Sequence, residues 1–304
     1  MDKRLIPGPK EWPYGYNAIN SWKDEDPKTM MDFGILRQKA GDVFTDEEHL
    51  ERAYLLVYGK AKVEFDGQCF EIERENCFDY DPWVLSVPND VKVTITAQAE
   101  SEWTVHRTDN EKTFPCKLYT PEECASEQRG KGTMREASTR SVRAVFDYSN
   151  APWSNLVVGE VIGFPGKWSS YPPHTHPQPE IYYYKFNPEQ GYGFAELSED
   201  VVKTHNNSTV LILNEETHPQ TTAPGYAMWY LWVIRHLDGN PYITPYFLPE
   251  HRWVTDPASE ASLLTVTSQI PLSVTRVSAA PRSQSVKSET SRTSSARGAQ
   301  VRKV

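Results

Sequence analysis

The sequence has 304 residues and a formal net charge of -9, with 32 Lys and Arg against 41 Asp and Glu. Aromatic residues make up 12 % of the chain, enough bulky apolar material for packed cores, which excludes a wholly disordered protein. The 23 prolines and 16 glycines favour many short elements over a bundle of long helices.

The charge is unevenly distributed along the chain. Residues 271–304 hold seven basic residues and one acidic residue, and no aromatic residue follows Trp253. Such a serine-rich, charged segment cannot bury enough apolar surface to offset its ordering entropy, so we predict a disordered tail over 258–304. Residues 1–270 are acidic, with 25 basic and 40 acidic residues, which argues against a nucleic-acid-binding domain.

The N-terminus and the cysteines indicate the compartment. The first twelve residues lack the apolar core of a secretory signal, and no run approaches the ~18 apolar residues that span a bilayer. The four cysteines form no CxxC pair and are too few to cross-link a chain of this length. We therefore expect a cytoplasmic protein with reduced thiols that binds neither nucleic acid nor membrane.

Strand patterns dominate along the chain. Short runs of β-branched and aromatic residues alternate with Gly, Asp and Asn turns, and Asp66-Gly67 is typical of a hairpin. The runs are 54–58, 62–65, 69–72 and 91–96 in the first half, and 156–162, 180–186, 208–213 and 227–234 in the second. Helical periodicity is weak, with short candidates at 44–52 and 121–127.

The order of strands and turns in the first half recurs in the second. Two consecutive sets of many short strands predict an all-β protein with two sandwich or barrel modules. We place these modules at 1–130 and 131–257, followed by the tail at 258–304. The polar stretch 122–139 is the expected join.

Three histidines and one glutamate form a candidate metal site. Residues two apart on a strand share a face, so His174 and His176 can direct their imidazoles at one ion. A bend through 177–179 can bring the Glu180 carboxylate to the same point, and His218 follows a neighbouring strand. Three imidazoles and one carboxylate suit a divalent ion such as Zn, Mn, Fe, Ni or Co.

The alternative is that His174 and His176 are a chance surface pair among prolines. The pairing with Glu180 and a downstream His218 favours the metal site. The other histidines lack partners at ligand spacing, and we expect surface or structural roles for them. They are His49, His106, His205, His236 and His251.

These residues also carry a resemblance to a known family. The metal-ligand motifs of the cupin superfamily resemble the segment Pro172-Pro-His-Thr-His176 together with Glu180 and His218. The segments 159–176, 180–191, 218–233 and 249–254 resemble the 5-deoxy-glucuronate isomerase (IolB) family more specifically. The chain departs from that family at Asn214 and Glu216, where Pro and Gly are usual, and in a shorter spacing between His176 and Glu180.

The resemblance implies a bicupin of two tandem jelly-roll modules, with one divalent metal ion, Zn or Mn before Fe, Ni or Co, in the C-terminal module. The N-terminal module has Asn89-Asp90 where a ligand histidine would stand and is expected to be metal-free. The implied protein is a homo-oligomeric aldose–ketose isomerase of inositol catabolism. Its substrate is a small sugar acid, 5-deoxy-glucuronate, and its product is 5-dehydro-2-deoxy-gluconate.

The reaction needs a proton relay and a partner for the substrate carboxylate. Tyr182 and Tyr184 share the strand face of Glu180 by period two and are the candidate catalytic residues, with plain barrel packing as the alternative.

The candidates for binding the carboxylate are Arg140, Arg143 and Lys185. The two arginines are the better suited, because a guanidinium can form a bidentate pair with a carboxylate. Period two places Lys185 on the face opposite Glu180, which counts against it. An ordinary salt bridge is the alternative role for either arginine.

Three other functions stay open at this point. The related uronate ketol-isomerase of pectin breakdown shares the bicupin plan, and a metal-dependent cupin dioxygenase uses the same ligand types. A non-catalytic sugar-binding cupin is the third alternative.

Overall fold

The structure, a computed structural model, describes residues 2–259. The tail predicted over 258–304 lies outside the described residues except for its first two positions. Strands account for most of the described elements, and the helical ones are short 3-10 segments. The all-β fold class is therefore confirmed.

The strands run through both halves of the chain. The first half contains β1 (Leu5–Ile6), β2 (Gly15–Asn20), β3 (Asp32–Gln38), β4 (Val43–Asp46), β5 (Glu51–Phe65), β6 (Gln68–Arg74), β7 (Val84–Val87), β8 (Val93–Ala97), β9 (Ser101–Thr108) and β10 (Lys117–Tyr119). The second half contains β11 (Ala125–Arg129), β12 (Arg140–Phe146), β13 (Leu156–Gly163), β14 (Trp168–Ser169), β15 (His174–Thr175), β16 (Glu180–Asn187), β17 (Tyr192–Leu197), β18 (Asp200–His205), β19 (Thr209–Ile212), β20 (Gln220–Thr222), β21 (Ala227–Arg235) and β22 (Tyr246–Phe247). The 3-10 helices are Pro121–Glu123, Met134–Glu136, Pro249–Thr255 and Pro257–Ser259.

The helix predicted over 44–52 is wrong. Residues in this range form the end of β4 and the start of β5, which pair with β8 and with β7 and β9, respectively. Sheet pairing thus overrides a weak helical period. The candidate at 121–127 is helical only in its first three residues, which are followed by β11.

The first-half sheet is organised around the 15-residue strand β5. Its strands follow the order β10-β7-β5-β9-β3-β2, and β6 and β8 also pair with β5 while β4 pairs with β8. The second half has a seven-stranded sheet in the order β1-β19-β16-β21-β13-β12-β11. It also has a four-stranded sheet, β14-β20-β17-β18, and the ribbon β15-β22.

Two strands from before residue 130 belong to the seven-stranded sheet. β1 pairs with β19, with Leu5 opposite Val210, and β11 pairs with β12, with Arg129 opposite Arg140. The division at 130/131 stays a prediction, but hydrogen bonds of the sheet cross it.

Three apolar cores stabilise the molecule. One lies in the first half around Tyr54 and Trp103, and another lies in the second half around Tyr182 and Tyr230. The third joins residues of both halves, such as Phe33 and Trp229, so the two large sheets pack against each other. The central strands of the seven-stranded sheet are consequently buried on both faces, as the unbroken burial of β13 shows, whereas the edge strand β11 is exposed.

None of the helices within residues 2–259 has both the length and the apolar character required to cross a membrane.

Candidate functional site

His176, Glu180 and His218 meet inside the second half. One potential ligand atom from each residue lies within 4.8 Å of the others. Glu180 opens β16, while His176 and His218 lie in the segments that precede β16 and β20. The Nε2 atoms of His176 and His218 lie 3.2 and 3.4 Å from Glu180 Oε2, and all three side chains are buried. The structure thus brings together three of the four predicted ligands.

Backbone carbonyl groups orient these two imidazoles. His176 Nδ1 lies 2.9 Å from the carbonyl oxygen of Gln178, and His218 Nδ1 lies 2.9 Å from that of Glu216. A carbonyl oxygen only accepts hydrogen bonds, so each Nδ1–H donates and Nε2 is the ring nitrogen that can offer a lone pair. This is the outer-shell arrangement that prepares histidine for metal binding.

His174 contacts the same group through its ring. Its ring centroid lies 4.7 Å from that of His218, and its Nδ1 lies 3.0 Å from the carbonyl oxygen of Pro172. It is therefore oriented like the other two, but it is not among the residues whose ligand atoms converge within 4.8 Å. Its role as a fourth ligand stays a prediction.

The electrostatics of the cluster suit a cation. Burial lowers the pKa of His218 well below its usual range and that of His174 to about 4, so both are neutral. Burial also raises the pKa of Glu180, since a carboxylate without a cation is costly in this interior. Two Nε2 lone pairs facing a carboxylate oxygen form an acceptor-only arrangement that a divalent ion would satisfy.

A group of hydroxyls lies beside the cluster. The ring of Tyr182 packs on His218 at 5.9 Å, and its hydroxyl lies 3.0 Å from Ser170 Oγ. Burial raises the pKa of Tyr182 well above its usual range, so its phenol stays protonated and is able to donate a hydrogen bond. Tyr184 is fully buried and donates to Gln220 Oε1 at 2.6 Å, which is consistent with barrel packing.

The segment 240–248, called here the strap, covers the cluster and was missed by sequence reasoning. Tyr242 packs edge-on against His176 at 5.0 Å, and Phe247 packs against His174 at 5.3 Å. Gln178 Nε2 donates to the carbonyl oxygen of Asn240 at 2.8 Å and anchors the start of the strap. The clustered aromatic residues of this proline-containing segment were the signal that could have identified it.

Arg140 lies close enough to the cluster for its charge to act on His174, and its role in binding a carboxylate stays a prediction. It is 8 % exposed, and its guanidinium donates to the carbonyl oxygens of Ser138 at 2.9 Å and Tyr171 at 3.2 Å. Among residues 2–259, no acidic side chain forms an ion pair with it. A buried guanidinium without a carboxylate partner is well suited to receive one from a ligand.

Arg143 is not brought to the cluster. Its Nη1 lies 2.8 Å from Glu160 Oε1 and also donates to the carbonyl oxygen of Cys77 at 2.9 Å. Arg74 from β6 pairs with the same oxygen at 2.6 Å. Because Arg143 is three residues from Arg140 on one strand, it faces the opposite side of the sheet and joins the two halves.

Lys185 is likewise occupied elsewhere. Its Nζ lies 2.6 Å from Glu102 Oε1 and 2.7 Å from Asn207 Oδ1, on the strand face away from Glu180. The structure therefore corrects the predicted substrate set, because it leaves Arg140 alone of the three beside the cluster.

Two buried ion pairs share Asp46 in the first half. Asp46 lies 2.7 Å from Arg107 Nη2 and 3.2 Å from Arg52 Nη1, and Tyr54 donates to it at 2.9 Å. Within the described part of the chain, His176, Glu180 and His218 are the one group of three or more side chains with metal-ligand geometry.

Comparison with known proteins agrees with this architecture. The profile of the KduI/IolB family matches residues 13–254. The 5-deoxy-glucuronate isomerase of Bacillus subtilis (strain 168) is 29 % identical over 248 residues, covering 75 % of this chain and 89 % of that protein. The 5-deoxy-glucuronate isomerase of Bacillus velezensis is 31 % identical over 220 residues, covering 66 % of this chain and 80 % of that protein.

Solved structures share the fold. An IolB-like protein from Salmonella typhimurium has a TM-score of 0.76 at 24 % identity, and the match covers 84 % of this chain and 100 % of that one. Oxalate decarboxylase from Bacillus subtilis, a protein with Mn(II) centres, has a TM-score of 0.55 at 11 % identity, covering 84 % and 81 %. The cupin fold expected from the sequence is confirmed, and the chain belongs to the KduI/IolB family.

Proposed function

We propose that this protein is a metal-dependent aldose–ketose isomerase that converts 5-deoxy-glucuronate to 5-dehydro-2-deoxy-gluconate in inositol catabolism in the cytoplasm. The observation that carries the proposal is the buried convergence of His176, Glu180 and His218 near Arg140, a cation that has no acidic partner among residues 2–259. The activity of the relatives supports the substrate assignment.

The donor set fits a divalent cation of the Zn or Mn type. His176, Glu180 and His218 would hold it, with His174 as the fourth ligand. The Nδ1–H group of each of the three histidines is already bound to a carbonyl oxygen, which orients the ring for metal binding. Bound there, the ion would act as a Lewis acid that polarises substrate oxygens and acidifies the proton beside the carbonyl.

The chain's own residues would orient the substrate and stabilise the charge that develops on it. Isomerisation removes a proton from C2 and delivers one to C1, while the oxygens at both carbons exchange hydroxyl and carbonyl character. Arg140 would hold the carboxylate at the far end and so fix the orientation of the sugar chain. The Tyr182 phenol, protonated because it is buried, would donate a hydrogen bond to the oxygen on which negative charge develops.

The direct test combines elemental analysis of the purified protein with a keto-product assay on 5-deoxy-glucuronate. We expect one divalent ion per chain, and loss of both the ion and more than about 100-fold of turnover in His176→Ala and His218→Ala. His205→Ala is the matched control, because His205 is exposed on β18. Wild-type turnover in either ligand variant would refute the proposal.

The same preparation distinguishes the alternative functions. Turnover of the pectin-derived uronate in preference to 5-deoxy-glucuronate would indicate the related ketol-isomerase. Oxygen consumption would indicate a dioxygenase, and a metal-free protein that binds sugar acids without turnover would indicate a binding cupin. Sedimentation analysis tests the expected homo-oligomer.

A further inference from the structure

A second arginine stands directly opposite Arg140. In the antiparallel pair β11–β12, Arg129 is the register partner of Arg140. Directly opposed residues project to the same face, so both side chains belong to the side of the sheet that carries Val142 and the core around Tyr182. Like charges placed opposite each other are unfavourable in a sheet, which makes this juxtaposition costly for stability alone.

The two arginines have different environments. Arg140 is buried and donates to the carbonyl oxygen of Tyr171, whose neighbour Pro172 accepts the hydrogen bond of His174. Arg129 has a side chain that is 54 % exposed, and its Nε lies 2.9 Å from the exposed Glu127 carboxylate. One cation therefore lies inside, close to the cluster, while the other lies at the surface on the same face.

Charge in the surrounding chain does not explain the pair. The acidic excess in residues 1–270 would allow each arginine a carboxylate, yet in the described part of the chain Arg140 has none within ion-pair distance. Burial and the charge of Arg129 both lower the pKa of Arg140, as expected for two guanidinium groups on one face of the sheet. An arrangement that breaks a local rule without structural gain is typical of a functional site.

We propose that Arg129 is a specificity-determining residue that, together with Arg140, binds the carboxylate of a sugar acid at the entrance to the cluster. This inference rests on the function proposed above and adds a residue to it. An anion between the two guanidinium groups converts their repulsion into two charge-assisted interactions. Neutral sugars of the same size gain nothing from them, so the pair selects uronates over aldoses.

The test measures equilibrium binding of D-glucuronate and D-glucuronamide by calorimetry. The two ligands have nearly the same shape and differ in charge at one group. We expect wild-type protein to bind glucuronate more tightly than glucuronamide, and Arg129→Gln to weaken glucuronate binding about fivefold while leaving glucuronamide binding unchanged. Arg129→Glu should weaken glucuronate binding further. Lys92→Gln, which removes an exposed positive charge on the first half, is the matched control.

Equal effects of Arg129→Gln on both ligands, or none on glucuronate, would overturn the proposal, as would equal affinity of the wild-type protein for the two ligands. Because the Arg129–Arg140 juxtaposition costs stability and the Glu127 partner of Arg129 is exposed, these variants should melt no lower than the wild-type protein. A wild-type protein inactive on 5-deoxy-glucuronate would refute the proposed function, whereas the comparison of the acid with its amide would still decide the role of Arg129.

Discussion

Replacing Arg143 by methionine separates a structural arginine from a substrate-binding one. The guanidinium of Arg143 is buried and shares Glu160 with Arg74 while also donating to backbone carbonyl oxygens of the first half. Removing one partner of a buried ion pair costs about 3–5 kcal/mol of unfolding free energy. Glu160 keeps Arg74 in this variant, so we expect a loss near the lower end, about 3 kcal/mol.

The assay is thermal and urea unfolding followed by tryptophan fluorescence, together with steady-state kinetics. For a protein of this size, the expected loss corresponds to a decrease in Tm of about 6–12 °C. The double variant Arg143→Met/Glu160→Gln should lose at least about 0.5 kcal/mol less than the sum of the two single variants, because the charges interact. KM for 5-deoxy-glucuronate should not change.

Arg140→Met supplies the opposite pattern. It should raise KM at least about tenfold, since it removes a charge-assisted contact worth about 1.5–3 kcal/mol. A variant of Arg143 with wild-type Tm and an increased KM would refute this division of roles between the two arginines.

Two further outcomes follow from groups outside the reaction chemistry. Arg4 binds Glu216 at 2.5 Å, and the carbonyl of Glu216 orients His218, so Arg4→Gln should increase the rate of metal loss to a chelator about 10-fold with little change in the fold. Burial lowers the pKa of His106 to about 3. Below pH 6.5, His106 is therefore protonated in the unfolded chain but stays neutral in the native state, so acid favours unfolding. Lowering the pH from 7.5 to 5.5 should therefore reduce the free energy of unfolding by about 1.4 kcal/mol through His106. In urea titrations over the same pH interval, the free energy of unfolding of His106→Leu should fall by about 1.4 kcal/mol less than that of the wild-type protein.

The sequence was informative where strand alternation decides the geometry. Period two predicted that Tyr182 and Tyr184 share a face with Glu180 and that Lys185 points away, and the structure has this arrangement. The spacing of His176 and Glu180 allowed a shared site, and their atoms meet across the bend before β16.

Alternation could not choose between the two arginines of β12. This strand is buried on both faces, so its apolar residues do not identify which side faces the candidate site. Only the packing of the two halves shows that Arg143 lies in the contact between the sheets, whereas Arg140 lies on the side of the sheet that carries the core around Tyr182.

Arg129 and Tyr242 were missed for a different reason. Arg129 lies in a polar stretch with no strand pattern of its own and becomes β11 only through pairing with β12. Tyr242 lies in the strap, whose path depends on its contacts with His176 and with the loop before β16. Long-range contacts of this kind leave no periodic pattern in a single sequence.

The order of strands in the seven-stranded sheet limits how the chain can be divided. Its two outermost strands are β1 and β11, which both precede the predicted boundary at residue 130. A fragment that begins at residue 131 would therefore expose unpaired backbone along β19 and β12, a template for aggregation with other copies. The second half needs segments of the first to protect the edges of its sheet, so we expect soluble expression of the half that carries the candidate metal site to require the intact chain.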